Sequence, residues 1–470
     1  MAPQPAAALE LETGVDHNHP KGSKGMRRVG IGLLVALLLG AALVAATART
    51  SATAGTSGAK ADTITIWVGW SAAELKAFKG VVAEYDNKHS DVTVKVVGGI
   101  NDDKITAAIR SGKVPDVVSS FTSANVGNYC NSGAWIDLKP FLSKDKIDVG
   151  MFPKTSQYYT QYKGKRCALP LLADVYGFYY NKKMFRAAGL TSPPKTMSQL
   201  TADAKKLTKK NSDGSIKVAG FNPFLGFYSG NAPDLTTYAP LFGAKYVDGS
   251  GKSVLSRDPA WSKMLKWQKS LVDWYGYKKL QKFNAGAADE FSASHAFEIG
   301  KLAMMIDGEW RVAFIQREHP SLDYGTAPAP VDDAHPELYG AGYVNGTIIG
   351  IPKGVKHKDQ AWALVKYLTT NSHALAIFSN GVRNVPTTKA SLTSPDIKPD
   401  AHFKTFLKIF ANPNSKTSPI TAAGNAYGSL IQAFAVKWQA GHAGDLAKGL
   451  QKLDKQIDAQ LKQARAGGVP

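Results

Sequence analysis

The amino-acid sequence predicts an α/β protein with a parallel sheet near its N-terminal end. Two observations carry this. From Asp62 to Ser119, stretches of two-residue alternation and stretches of helical spacing follow one another in the order β-α-β-α-β. Strands joined by crossover segments of that length pair in parallel. The chain is also 470 residues long, 44% hydrophobic and 20% charged. That is ordinary globular composition, with room for two or more domains that each bury a core.

Each element has its own signal. Asp62–Gly69 (DTITIWVG) alternates and is rich in β-formers, so it reads as a strand. Ser71 to Glu74 has the spacing of a capping box, and Leu75, Phe78, Val82 and Tyr85 then mark one helical face. Val92–Val97 is the second strand, Asp102–Ser111 a short helix, and Pro115–Ser119 the third strand. Further on, Leu169–Ala173 and Val175–Tyr180 read as extended pieces on either side of a lone acid, Asp174. Asn181 caps a helix that Gly189 stops, and Met197–Lys210 is amphipathic. A strand is expected over Val218–Phe224, then a Gly/Asn/Pro-rich loop to Pro233 and a helix over Asp258–Tyr275. Leu302–Ile306 is a short apolar run of the buried-strand type, closed by the turn signal Asp307-Gly308 and followed by Glu309-Trp310-Arg311. Leu322–Ala327 and Thr347–Ile351 are strands; Asp359–Leu368, Ala423–Trp438 and Asp445–Lys462 are helices. There is no internal repeat.

The compartment is read from the N-terminus. Residues 1–25 lack periodicity and are expected to be disordered. Arg27-Arg28 precede Val29–Ala48, an uncharged apolar run that ends in Ala46-Thr47-Ala48. Residues 26–48 therefore read as an export signal, cleaved after Ala48, with an uncleaved membrane anchor as the competitor. No cysteine stands at the end of the run, which excludes a lipid-modified N-terminal Cys. Residues 49–61 form a Ser/Thr/Ala/Gly linker, and the chain beyond them is expected outside the cytoplasm. The only cysteines, Cys130 and Cys167, invite a disulfide in such a compartment.

Composition excludes some functions. Net charge is +20. The lysines are scattered as pairs, such as Lys205-Lys206 and Lys278-Lys279, with no dense basic block interleaved with aromatics. A nucleic-acid partner is therefore not expected. The segment GSGKS at Gly249–Ser253 ends like a phosphate loop, but Tyr246 stands where the motif's first glycine belongs. H-E-x-x-H and G-x-S-x-G are absent, and the ten histidines lack ligand spacing. No cofactor, metal or catalytic set is expected. Asp174 and Glu309 are a carboxylate pair that would suit a glycoside hydrolase; as carboxylates that hydrogen-bond a ligand or the backbone they fit a binding site better.

Seven segments, in this order, resemble the family 1 extracellular solute-binding proteins, the carbohydrate-capturing components of ATP-driven importers, akin to maltose-binding protein. They are ITIWVGW (Ile64–Trp70), KVPDVV (Lys113–Val118), GAWIDLKPFL (Gly133–Leu142), GKRCALPLLADVYGFYYNKKMFRAAGL (Gly164–Leu190), GKLAMMIDGEWR (Gly300–Arg311), YGTAPAP (Tyr324–Pro330) and GIPKGVKHKDQAWALVKYL (Gly350–Leu368). The form with paired cysteines and PLLADVYGFYYN looks like those of high-GC Gram-positive bacteria. The missing lipidated Cys departs from many Gram-positive members.

The resemblance implies a two-lobe periplasmic-binding-protein fold of type II, each lobe a mainly parallel sheet flanked by helices, with the ligand cleft between them. Lobe one would be 62–172 and 346–372, lobe two 174–342 and 375–466, with crossings near Ala173-Asp174, Tyr343–Gly346 and Thr370–Ala374. It implies a monomer that closes on a sugar and delivers it to membrane permease subunits. Trp310 matches the aromatic platform and Asp174 the hinge acid. Trp70, Ser71, Asp102, Ser120 and Thr122 fall on the lobe-one rim, where a parallel sheet places its ligands. Tyr343 and Asn345 fall on the second crossing. Tyr176, Phe224, Arg383 and Asn425 are further candidates, and Glu309 is expected on the rim. The alternatives are the same fold binding an anion or polyamine, or a secreted glycoside hydrolase.

Overall fold

The computed structural model describes residues 61–224 and 235–466. The expected disordered head, the export signal or anchor, the linker and the loop to Pro233 lie outside the described residues. Among the described residues, no helix is long and apolar enough to cross a membrane.

Ten strands are present among the described residues: β1 (Asp62–Trp67), β2 (Val92–Val97), β3 (Val117–Ser120), β4 (Leu169–Asn181), β5 (Lys209–Lys210), β6 (Ile216–Phe221), β7 (Leu302–Gly308), β8 (Tyr324–Ala327), β9 (Val344–Gly350) and β10 (Val385–Pro386). They pair in the order β2-β1-β3-β9-β4-β7-β6-β5, with β8 and β10 also on β4. β1 lies parallel to both β2 and β3. The crossovers are helices α1 (Ala72–Asp86) and α2 (Asp102–Ser111), as the alternation predicts. β6 and β7 are also parallel. β9 is antiparallel to β3, and β4 is antiparallel to β9 and β7.

β4 joins the two halves. It is one strand of 13 residues, where two pieces around Asp174 were expected. The acid does not break it, because the strand is paired along its length. Its first part, Leu169–Val175, pairs with Ile349–Val344 of β9. Its second part, Tyr176–Tyr180, pairs with Gly308–Met304 of β7. All but one of its residues are buried, which fits the near-continuous apolar run PLLADVYGFYY.

The apolar residues sort into two large cores. One gathers β1, β2 and α1 with Leu169, Leu171, Leu172, Ile349 and Ile351. The other gathers Ala173, Val175, Tyr176, Val344, β7, Val385 and the C-terminal helices. The boundary thus falls inside β4 between Leu172 and Ala173, and inside β9 between Val344 and Ile349. The third crossing differs from expectation. The helix Ser372–Val382 stays with the first core, because its Phe378 packs against Trp70 and Phe78. Val385 is the first residue of this stretch in the second core. Between the two cores this stretch passes through Arg383-Asn384. A smaller cluster surrounds Cys130, Trp135 and Cys167, where a disulfide ties helix α3 (Val126–Ser132) to the chain entering β4.

Element ends shift where pairing overrides local propensity. Lys209-Lys210, read as helix, form an edge strand with β6. β9 begins at Val344 rather than Thr347, because its first residues pair with Val175 and Asp174.

Candidate functional site

The three crossings meet at Asp174. On β4, Asp174 stands opposite Asn345 of β9. From the third crossing, Asn384 Nδ2 donates to Asp174 Oδ1 at 2.7 Å and to Glu309 Oε1 at 2.9 Å. The other Glu309 oxygen accepts the Val175 N–H at 2.5 Å. Local sequence explains how Asn384 arrives there. Arg383 takes the left-handed conformation (φ 63°) that ends the helix Ser372–Val382, and β10 then lies antiparallel to Leu172 and Ala173. Thr387 Oγ1 donates to the carbonyls of Pro170 and Leu171, fastening the same strap.

The electrostatics follow from burial. Asp174 is 8% exposed and Glu309 fully buried. Desolvation, and then the nearby Glu74 charge, push the Asp174 carboxyl up to about 7, against the Asn384 hydrogen bond. Burial and then Asp174 raise Glu309 well above the usual carboxylate range, against the Val175 and Asn384 donors. Glu309, expected on the rim, is therefore a buried brace between β4 and the third crossing. As a hydrolytic partner for Asp174 it is sealed from solvent.

Next to this knot runs an aromatic strip. The Trp310 and Tyr176 rings meet edge-on at 5.4 Å, and Tyr176 meets Tyr343 at 5.4 Å. All three are largely covered, at 7%, 7% and 9% exposure. The Tyr343 hydroxyl pairs with Ser418 Oγ at 2.8 Å. Gly308, read as a turn former, ends β7 and has a steric duty: a Cβ there would lie 2.1 Å from the Trp310 ring. Trp310 is held from behind as well, because its Nε1 donates to Glu290 Oε1 at 3.4 Å. The fully buried Arg311 binds Asp307 at 2.8 Å, Glu298 at 3.0 Å and Glu290. Burial drives the Glu290 carboxyl up, but Arg311 overrides it and leaves that group well below the usual range. Glu290, His295 and Asp307 come close enough to suggest a metal site. Arg311 already supplies the cation there, so the cluster is an ion network that fixes the turn under Trp310. Sequence reading missed the network, since Glu290 and Glu298 come from a separate segment.

On the lobe-one side the structure brings Asp102, Ser120 and Thr122 together. Ser120 Oγ donates to Asp102 Oδ1 at 2.6 Å and accepts the Thr122 N–H at 3.1 Å. Burial raises the Asp102 carboxyl, opposed by the Ser120 and Thr122 hydrogen bonds. Asn125, unnoticed in the sequence, donates to Asp102 Oδ2 at 3.3 Å and accepts the Asn425 N–H at 3.2 Å. Asn345 accepts from Ser123 Oγ at 2.6 Å and donates to the Phe121 carbonyl at 3.0 Å.

Several expected site residues lie elsewhere. Trp70 is 3% exposed, with its ring packed among Phe78, Phe121 and Phe378. Ser71 does precede α1, but its side chain makes no capping bond. The expected capping box is absent; burial lifts the Glu74 carboxyl to about 7, and Arg317 and Arg311 draw it down. Arg383 donates to the Lys398 carbonyl and Gln316 and stacks over Phe403, a structural post. Phe224 packs on Tyr277 at the edge of the described residues. Asn425 folds over Gly428 at the start of the helix Ala426–Gln439. Two open grooves, about 510 Å³ beside Trp267 and about 440 Å³ beside Phe283, share no residue with the knot or the strip.

Comparisons with known proteins agree with this architecture. The profile of the bacterial extracellular solute-binding protein family matches residues 80–405. The maltotriose-binding protein of Pyrococcus abyssi is 24% identical over 72% of this chain and 69% of its own length. The maltodextrin-binding protein MdxE of Bacillus subtilis is 25% identical over 78% and 82%. The structure of CpMnBP1 with mannotriose bound superposes with a TM-score of 0.74 at 27% identity, covering 84% of this chain and 99% of that one. Maltose-bound MalE3 of T. maritima gives 0.70 at 22% identity, covering 85% and 100%. The chain therefore belongs to the bacterial extracellular solute-binding proteins, with their two-lobe fold and extracytoplasmic setting.

Proposed function

We propose that this chain captures a carbohydrate between its two lobes and hands it to the membrane permease of an ATP-driven importer, without chemical turnover. The observation that carries this is the strip Trp310–Tyr176–Tyr343 running up to the Asp174 carboxylate at the crossing strands. A sugar ring offers C–H faces that pack on flat aromatics and hydroxyl edges that need fixed polar partners. The strip and Asp174 supply both. The oligosaccharides named for similar proteins point the same way. On the opposite wall, Asp102, Ser120 and Thr122 offer hydroxyl partners, and closure would bring the two walls onto one ligand.

Lobe one comprises 62–172 and 346–382 on this reading, and lobe two the remainder to 466. The apolar segment 26–48 serves as a cleaved export signal. The basic surface, or the segment itself if retained, would hold the protein near the cell. The sealed position of Glu309 speaks against hydrolysis, and a carboxylate beside neutral aromatic rings speaks against an anionic ligand. A thermal-shift panel of manno- and malto-oligosaccharides tests the reading, since a ligand that binds only the folded state raises stability by RT ln(1 + [L]/Kd). Stabilisation by at least one sugar, with the sugar recovered intact, is expected. No shift with any of them, or products of hydrolysis, would contradict it.

A further inference from the structure

Asn384 lies where the third crossing passes the first, and its side-chain amide is spent on two carboxylates that lie close together. One Nδ2 group donates to Asp174 Oδ1 and to Glu309 Oε1. All three side chains are at least nine-tenths buried. Two buried carboxylates on one donor do not both ionise cheaply, so the pair favours keeping a proton. The amide also fixes which Asp174 oxygen stays occupied, and so which one is left for another partner. From this geometry we infer that Asn384 is a positioning residue: it orients Asp174 toward the ligand and ties that acid to the crossing on which the lobes swing. The inference rests on the sugar-capture reading only for its ligand.

Other groups face the knot. Glu74 acts on Asp174 from α1, with Arg311 and Arg317 acting on Glu74 in turn. Tyr159 and Tyr179 feel the Asp174 and Glu309 charges respectively. The Tyr159 hydroxyl is committed to Ser156, and that of Tyr179 to the Gly308 carbonyl. None of these donates to the facing Asp174 and Glu309 oxygens as Asn384 does.

The test uses the full chain and three variants, Asn384→Ala, Asn384→Asp and Asp174→Asn. Mannotriose affinity and ligand-free melting temperature are each measured at pH 5 and pH 8. The protonated carboxyl of Asn384→Asp can donate one hydrogen bond, and the ionised form can donate none. This variant should bind within about threefold of the natural protein at pH 5 and at least tenfold more weakly at pH 8. Its melting temperature should fall in the same direction. Asn384→Ala should bind at least tenfold more weakly at both pH values, and Asp174→Asn should lose the pH difference in melting. Equal losses for Asn384→Ala and Asn384→Asp at both pH values would show a merely structural post and overturn the inference, as would unchanged affinity in both. If the natural protein binds neither mannotriose nor any other sugar, the function reading fails. The inference is then judged on melting alone: a loss for Asn384→Asp that grows from pH 5 to pH 8 upholds the knot, and a pH-independent loss overturns it.

Discussion

Trp310 and Gly308 act as one unit, because the indole lies where any side chain at 308 would have to go. Gly308→Ala forces the ring off its seat. It should cost on the order of 1–3 kcal/mol, the usual range for overpacking, and should weaken sugar binding with it. Trp310→Ala should lower sugar affinity by tenfold or more while circular dichroism shows an intact fold; unchanged affinity would refute the platform role. Asp174 makes a prediction with a defined sign. Its folded-state carboxyl titrates at about 7, above its unfolded value, with burial as the first cause. Its contribution to stability is therefore fully present below the unfolded value near pH 4 and is lost as pH rises through about 7. The stability difference between the natural protein and Asp174→Asn should shrink by a few kcal/mol across that window, since each pH step of one between those two values is worth about 1.4 kcal/mol. A difference that grows with pH in denaturant titrations would contradict the buried environment. Trp310 and Asp174 are marked in the sequence because each stands out locally: an aromatic past a buried strand, an acid inside an apolar run. It did not reveal Asn384 or Asn125. Their roles come from partners 210 and 23 residues away, and nothing adjacent marks them.

At the scale of elements, helices and strands with a clear apolar period stand where the sequence places them, as with α1, β2, β7 and the helix Leu446–Arg465. The differences lie where a distant partner decides. β4 continues through Asp174 because β9 supplies hydrogen bonds that the local pattern could not promise. The helix Ser372–Val382 starts where the sequence resemblance puts a crossing, yet Phe378 packs it on the first core. The capping box assigned to Ser71 does not form, and a complete box occurs instead at Thr388 and Ser391. The disulfide Cys130–Cys167 closes a loop with a sequence separation of 37, which the chain-entropy relation values at about 4 kcal/mol. Replacing both cysteines by Ala should lower the unfolding free energy by about that much and leave sugar affinity near its natural value. The knot and the strip lie on β4, on the turn after β7, at the residue before β9 and at the third crossing, outside α3. A large affinity loss without a stability loss would mean that the bond shapes the cleft directly.

For the molecule as a whole, two cores share strands β4 and β9 and the strap at 384, so the lobes are joined at three adjacent points. Three short crossings allow a hinge motion while preventing independent drift. The Asp174–Asn384–Glu309 knot sits at that hinge, so a ligand that touches Asp174 also touches the element about which closure turns. Ligand binding and closure are then a single equilibrium, and a permease that recognises the closed form reads ligand occupancy. The most direct measurement is isothermal titration of the protein with mannotriose and maltotriose, paired with the same titrations of Trp310→Ala. Capture by the strip predicts saturable one-site binding of at least one sugar by the natural protein, with intact sugar recovered and a tenfold or greater loss in the variant. No heat of binding for either sugar, or equal affinity in both proteins, would contradict it.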